Sequence, residues 1–94
     1  MKYNAIVRFL NKNEGGRITP PMTGYKPHMK IGEDHTSCII TTKNSDLKTM
    51  NFGIDHEVFI EFQYEDEFIE KINDRLNIGL YEGNKLIGHG YIYK

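Results

Sequence analysis

The chain has 94 residues, with 12 Lys plus Arg against 13 Asp plus Glu and a net charge of −1. That length fits a single domain spanning 1–94, and the near-neutral balance lacks the basic excess usual in dedicated nucleic-acid binders, so any RNA contact must rely on a local patch. With 38% hydrophobic and 12% aromatic residues the sequence has the composition of a globule, and no apolar run approaches the roughly 20 residues of a membrane helix.

Residues Met1, Lys2, Tyr3 and Asn4 lack the apolar core of a secretory signal. Tyr3, Ala5, Val7 and Phe9 then alternate with Asn4, Ile6 and Arg8, predicting a first strand with one buried face. Gly15, Gly16, Pro20 and Pro21 break the chain into a long loop. Tyr25, Pro27, Met29 and Ile31 form the next apolar face, opposed by Lys26, His28 and Lys30, with Pro27 expected at an edge or bulge. Residues 37–42 are rich in β-branched side chains and predict a third strand. Cys38 within it is expected to be a small buried residue. As the single cysteine it cannot form an intrachain disulfide, which fits a reducing cytoplasm.

Lys43, Asn44, Ser45 and Asp46 read as a turn, and residues 47–52 fit a further short strand. Val58, Ile60, Phe62 and Tyr64 alternate with Glu57, Phe59, Glu61 and Gln63 as a half-buried strand. Residues 68–74 could form one helical turn. Leu76, Ile78 and Leu80 mark another strand, and Glu82, Gly83, Asn84 and Lys85 make a hairpin turn into Leu86, Gly88, Gly90 and Ile92. Six or seven short strands joined by turns predict an all-β fold, a closed antiparallel barrel.

Catalytic and metal chemistry finds little support. Asn11, Lys12, Asn13 and Glu14 approximate the guanine-reading Asn-Lys-x-Asp pattern, but no Gly-x-x-x-x-Gly-Lys-Ser/Thr loop exists to hold phosphates. GTP binding, and any cofactor, is therefore not expected. His28, His35, His56 and His89 show no ligand spacing, read as surface or rim residues, and predict no metal site. Glu57, Glu61, Glu65, Asp66, Glu67 and Glu70 read as a solvated face, or as an acidic docking surface for a basic partner.

The long loop carries the most specific pattern in the chain. Glu14, Gly15, Gly16, Arg17, Thr19, Pro20, Gly24, Tyr25 and Pro27 match, at identical spacing, the Glu-Gly-Gly-Arg-x-Thr-Pro and Gly-Tyr-Arg-Pro-Gln segments of a known loop. By these residues the sequence resembles the C-terminal β-barrel domain of elongation factor Tu. Lys26 replaces an arginine of that pattern and His28 a glutamine. Glu82, Gly83, Gly88 and Gly90 extend the match, whereas residues 44–72 show little identity and 65–72 look like a small insertion.

The resemblance implies a six-stranded closed antiparallel barrel and a non-enzymatic binding module. In the family this barrel helps form the transfer-RNA site and docks an exchange factor and the GTPase domain. Carried over by position, Arg17, Lys26, His28, Lys30, Ser37, Glu82 and Gly83 are the candidate residues for RNA or a partner. Arg17 has two readings, a phosphate grip or a loop-anchoring ion pair. The family's lysine further along has no counterpart, since this region reads Gln63, Tyr64, Glu65 and Asp66. The favoured expectation is a protein partner (a translation factor, a toxin or a second copy), with weak transfer-RNA binding as the alternative.

Overall fold

The alternation read from the sequence closes on itself in space. In the computed structural model, which describes residues 2–62 and 75–93, six strands form a closed barrel. They are β1 (Lys2–Phe9), β2 (His28–Ile31), β3 (Asp34–Thr42), β4 (His56–Phe62), β5 (Arg75–Glu82) and β6 (Lys85–Tyr93), in the order β1-β4-β3-β2-β5-β6 with β6 returning to β1. Every neighbouring pair is antiparallel. Closure removes the open edges that would otherwise present unpaired backbone groups. The end of the fourth strand at 63–64, the helical turn at 68–74 and the acidic residues Glu65, Asp66, Glu67 and Glu70 lie outside the described residues.

The inward positions are those the two-residue period selects. Ala5, Val7 and Phe9 from β1, Val58, Ile60 and Phe62 from β4, and Ile78 and Leu80 from β5 are all buried, as are Met29, Ile31, Cys38 and Ile40. Strand β3 begins three residues before the expected start, and its Thr36 points inward at 6% exposure.

Four expectations are corrected, the last of them at Pro27. Residues 47–52 form no strand; Thr49 makes only an isolated bridge to Met22. This segment instead crosses the barrel end, where Met50 is fully buried and its N–H donates to the Pro21 carbonyl at 2.8 Å. In β6 the inward face is not Leu86, Gly88, Gly90 and Ile92 throughout. A register shift at Leu80/Tyr81 turns Ile87 into the core at 0% exposure and leaves Leu86 39% exposed. His56, expected at the surface, is buried, with Nε2 2.8 Å from the Asn51 carbonyl.

Pro27 sits inside the barrel wall rather than at an edge. The β2–β3 register continues past His28↔Ser37 to the Tyr25↔Ile40 bridge, and the Cys38 and Ile40 N–H groups donate to the Pro27 and Tyr25 carbonyls. Proline costs one ladder bond there and ends the regular strand at His28. Just before it, the Tyr25 N–H closes a turn onto the Met22 carbonyl, and Gly24 occupies its third position with φ of 90°.

Candidate functional site

The loop of residues 10–27, the loop of residues 43–55 and the β5–β6 hairpin share one end of the barrel. The registers Val7↔His56, Thr42↔Val58, His28↔Tyr81 and Phe9↔Gly88 place the strand ends there together. One loop-to-loop bond runs from the Thr23 N–H to the Lys48 carbonyl, and the Gly53 N–H donates to the carbonyl of Phe9 at the end of β1. The Leu10 N–H donates to the Ile87 carbonyl, tying in the hairpin strand.

Within this end, the segment that approximates a guanine motif is a helix cap. Asn11 caps a single 3-10 turn at Lys12–Glu14: its side chain accepts from the Glu14 N–H at 3.0 Å, while the Glu14 carboxylate accepts from the Asn11 N–H at 3.1 Å. Both polar side chains are committed to their own backbone. The next residues fold back, with the Gly16 N–H on the Asn11 carbonyl and the Arg17 N–H on the Leu10 carbonyl.

Arg17 is the anchor of the loop. Its Nε donates to the Thr19 carbonyl at 3.0 Å, and one terminal nitrogen donates to the Glu82 carboxylate and to the Tyr25 hydroxyl. The Tyr25 hydroxyl also donates to Glu82, and the guanidinium lies over the Tyr25 ring with its carbon 4.9 Å from the centroid. Two candidate residues that are 65 positions apart in sequence therefore engage each other. Of the two readings of Arg17, this geometry is the ion pair. Burial raises the Tyr25 hydroxyl well above the ordinary phenol range, and its bond to Glu82 adds to the effect, against a smaller opposing influence of Arg17. Burial alone would lower the Arg17 guanidinium, but the bonds to Tyr25 and Glu82 outweigh it and raise it.

The other candidate residues occupy the adjoining wall. Lys26 and His28 are exposed, Lys30 and Ser37 half-buried, and Gly83 is the exposed hairpin tip with φ of 61°. His28 stands directly opposite Ser37 on one side and Tyr81 on the other, and Lys30 stands opposite His35 and Gly79. Lys26, Ser37 and Glu61 rim a shallow cavity of about 270 Å³ with Cys38, Ile39 and Phe62. Cys38 contributes no nucleophile there: it is 2% exposed, and burial pushes its thiol up to about 12.

The sequence matches no model of a known protein family. Site chemistry therefore rests on what the geometry offers, and the loop end offers apolar surface. Five of the six large exposed apolar side chains among the described residues belong to it: Ile18, Met22, Leu47, Ile54 and Leu86, with Ile39 alone on a wall. Ile18 is 76% exposed and Met22 58%. These residues were missed in sequence because no periodic pattern marks an apolar side chain on a loop as exposed.

A second group was missed for another reason. On the wall formed by β4, β1, β6 and β5, cations and rings interleave. Lys2 and Lys43 lie over Phe59 at 5.4 and 5.3 Å, Lys43 also over Tyr93 at 5.3 Å, and Arg75 over Tyr91 at 3.8 Å. Their neighbourhood depends on strand order, which no local motif encodes. Among the described residues, no group of three or more His, Cys, Asp or Glu is placed to hold a metal ion.

Proposed function

We propose that the chain is a non-enzymatic binding module, comparable to the isolated C-terminal barrel of elongation factor Tu that its sequence resembles, and that it docks a protein partner through its loop end. The observation that carries this reading is the concentration of Ile18, Met22, Leu47, Ile54 and Leu86 at that end. Protein interfaces hold an apolar core within a polar rim, and such side chains lose water usefully only against another surface. A partner belonging to the translation machinery, or a toxin that attacks it, fits the resemblance, with the barrel then acting as a stand-in for the factor.

Weak transfer-RNA binding is the second reading. It is favoured by one observation: Lys26, His28 and Lys30 project from one wall, and none of them makes an ion pair or a side-chain hydrogen bond among the described residues. Against it stands the mutual engagement of Arg17 and Glu82, which withdraws two of the carried-over RNA contacts.

Affinity capture from native lysate, with and without RNase, separates the two. On the protein reading, the captured partner survives RNase, persists in Lys26→Ala/Lys30→Ala and is lost in Ile18→Ser/Met22→Ser. Loss on RNase treatment, or on removal of the two lysines, favours the RNA reading instead.

A further inference from the structure

We propose that the outer wall between β1 and β6 carries a binding site for a phosphate monoester on a compact, flat organic body. The site is a groove of about 290 Å³ whose side-chain lining is Ile6, Arg8, Asp55, Arg75, His89 and Tyr91. Its Asp55 comes from the loop end, beside Ile54, while the rest of its lining comes from β1, β5 and β6, and the site does not rest on the protein-docking reading.

The barrel register builds the groove. Arg8 stands opposite His89, and Ile6 opposite Tyr91, across the β1–β6 ladder. Arg75 reaches in from β5 and lies over the Tyr91 ring at 3.8 Å, which fixes a guanidinium without consuming any of its donors. Arg8 directs its Nε to Asp55 at 2.9 Å, so its two terminal nitrogens have no acceptor among the described residues. His89 likewise has no hydrogen-bond partner there, and Arg75 has no carboxylate. Three side chains with unused donors therefore line one groove, two of them held in place by Asp55 and Tyr91.

That arrangement selects an oxyanion and limits its size. Guanidinium forks match phosphate oxygens, and donors arriving from three strands suit a group with three terminal oxygens better than a carboxylate with two. The groove volume corresponds to roughly ten water molecules, more than a bare phosphate fills. Ile6 and the Tyr91 ring supply the apolar contact for the remainder of a ligand. An extended polyanion gains less, because beyond the groove the wall mixes Glu57 and Glu61 with Lys2 and Lys43, and Lys2 is already paired with Glu61 at 4.0 Å. Within the groove the one carboxylate, Asp55, is engaged by the Arg8 Nε, which leaves the other donors to a compact dianion.

The test is an amide-shift NMR titration of the full chain with phenyl phosphate and with inorganic phosphate. Saturable shifts centred on His89, Gly90 and Tyr91 are expected, with phenyl phosphate binding about tenfold tighter than inorganic phosphate. Arg75→Gln and His89→Gln, both at exposed positions, should each weaken phenyl phosphate by about tenfold, while Lys12→Gln leaves it unchanged. Equal affinity for the two probes overturns the proposal. So do shifts that rise linearly without saturating, and so does equal weakening by Lys12→Gln. Because the two groove variants act from different strands, loss of fold in one leaves the other to decide.

Discussion

At the scale of single residues, two glycines are needed for opposite physical reasons, and their replacement separates the reasons. Gly24 has φ of 90°, yet a Cβ built there meets nothing within 4 Å, so the cost of a side chain is conformational alone. Gly24→Ala should destabilise the protein by about 1–2 kcal/mol, the strain of a non-glycine residue in the left-handed region. Gly90 has an ordinary φ, but its Cβ would lie 2.0 Å from the Ile6 carbonyl oxygen and 2.8 Å from the Val7 Cα. Only backbone displacement between β1 and β6 relieves that clash, so Gly90→Ala should cost more than about 3 kcal/mol. Urea denaturation of both variants checks the order. A Gly90→Ala protein as stable as Gly24→Ala would mean that the two strands are not held this close.

At the scale of elements, Arg17, Tyr25 and Glu82 tie the long loop to the β5–β6 hairpin, and that tie has a pH signature. The folded chain holds the Tyr25 proton more tightly than the unfolded chain, whose phenol titrates near 10. Stability from this group is complete below pH 10 and falls as pH rises above it. Cys38 behaves the same way from its ordinary value of 9, with its folded thiol at about 12. Stability should thus decline from about pH 9, and more steeply above pH 10, each group adding up to about 1.4 kcal/mol per pH unit. Tyr25→Phe should lose about 1 kcal/mol at neutral pH, from the missing hydroxyl bonds, and lose the added steepness above pH 10. Denaturant midpoints measured from pH 7 to 11 check this; an unchanged alkaline slope in Tyr25→Phe would remove the hydroxyl from the account.

The barrel itself was legible in the sequence because β1, β4 and β5 obey the two-residue period, and Gly83 marks the hairpin. Strand β6 was misread at Leu86 and Ile87 because a bulge is a property of a pair of strands, not of one. Residues 47–52 carry strand-like side chains but spend their backbone bonds on the neighbouring loop, a tertiary choice that overrides local propensity. Of the candidate residues, Arg17, Glu82 and Gly83 lie at the loop end and Lys26, His28, Lys30 and Ser37 on the adjoining wall, and the engagement of Arg17 with Glu82 spans the sequence and could only be one of two readings beforehand. The groove lined by Arg8, Arg75 and His89 left no trace in sequence, since three strands contribute it and strand order is silent there.

At the scale of the whole molecule, charge decides how strongly this protein can hold RNA. The chain carries one more acid than base, and the wall facing outward from β2 offers Lys26 and Lys30 as full charges with His28 between them. Each lysine that neutralises a phosphate contributes about one unit to the slope of log affinity against log salt. Arg17 cannot contribute in the same way, because its guanidinium must first leave Glu82 and Tyr25. Two or three contacts without base readout correspond to tens of micromolar or weaker at about 0.15 M salt. Transfer RNA should therefore give no tight gel shift at that salt. Where binding is measurable at low salt, Lys26→Ala and Lys30→Ala should each flatten the slope by about one unit, and Arg17→Ala should leave it unchanged. A submicromolar complex that disappears in Arg17→Ala would show that RNA opens the Arg17–Glu82 pair, and would reverse the preference for a protein partner.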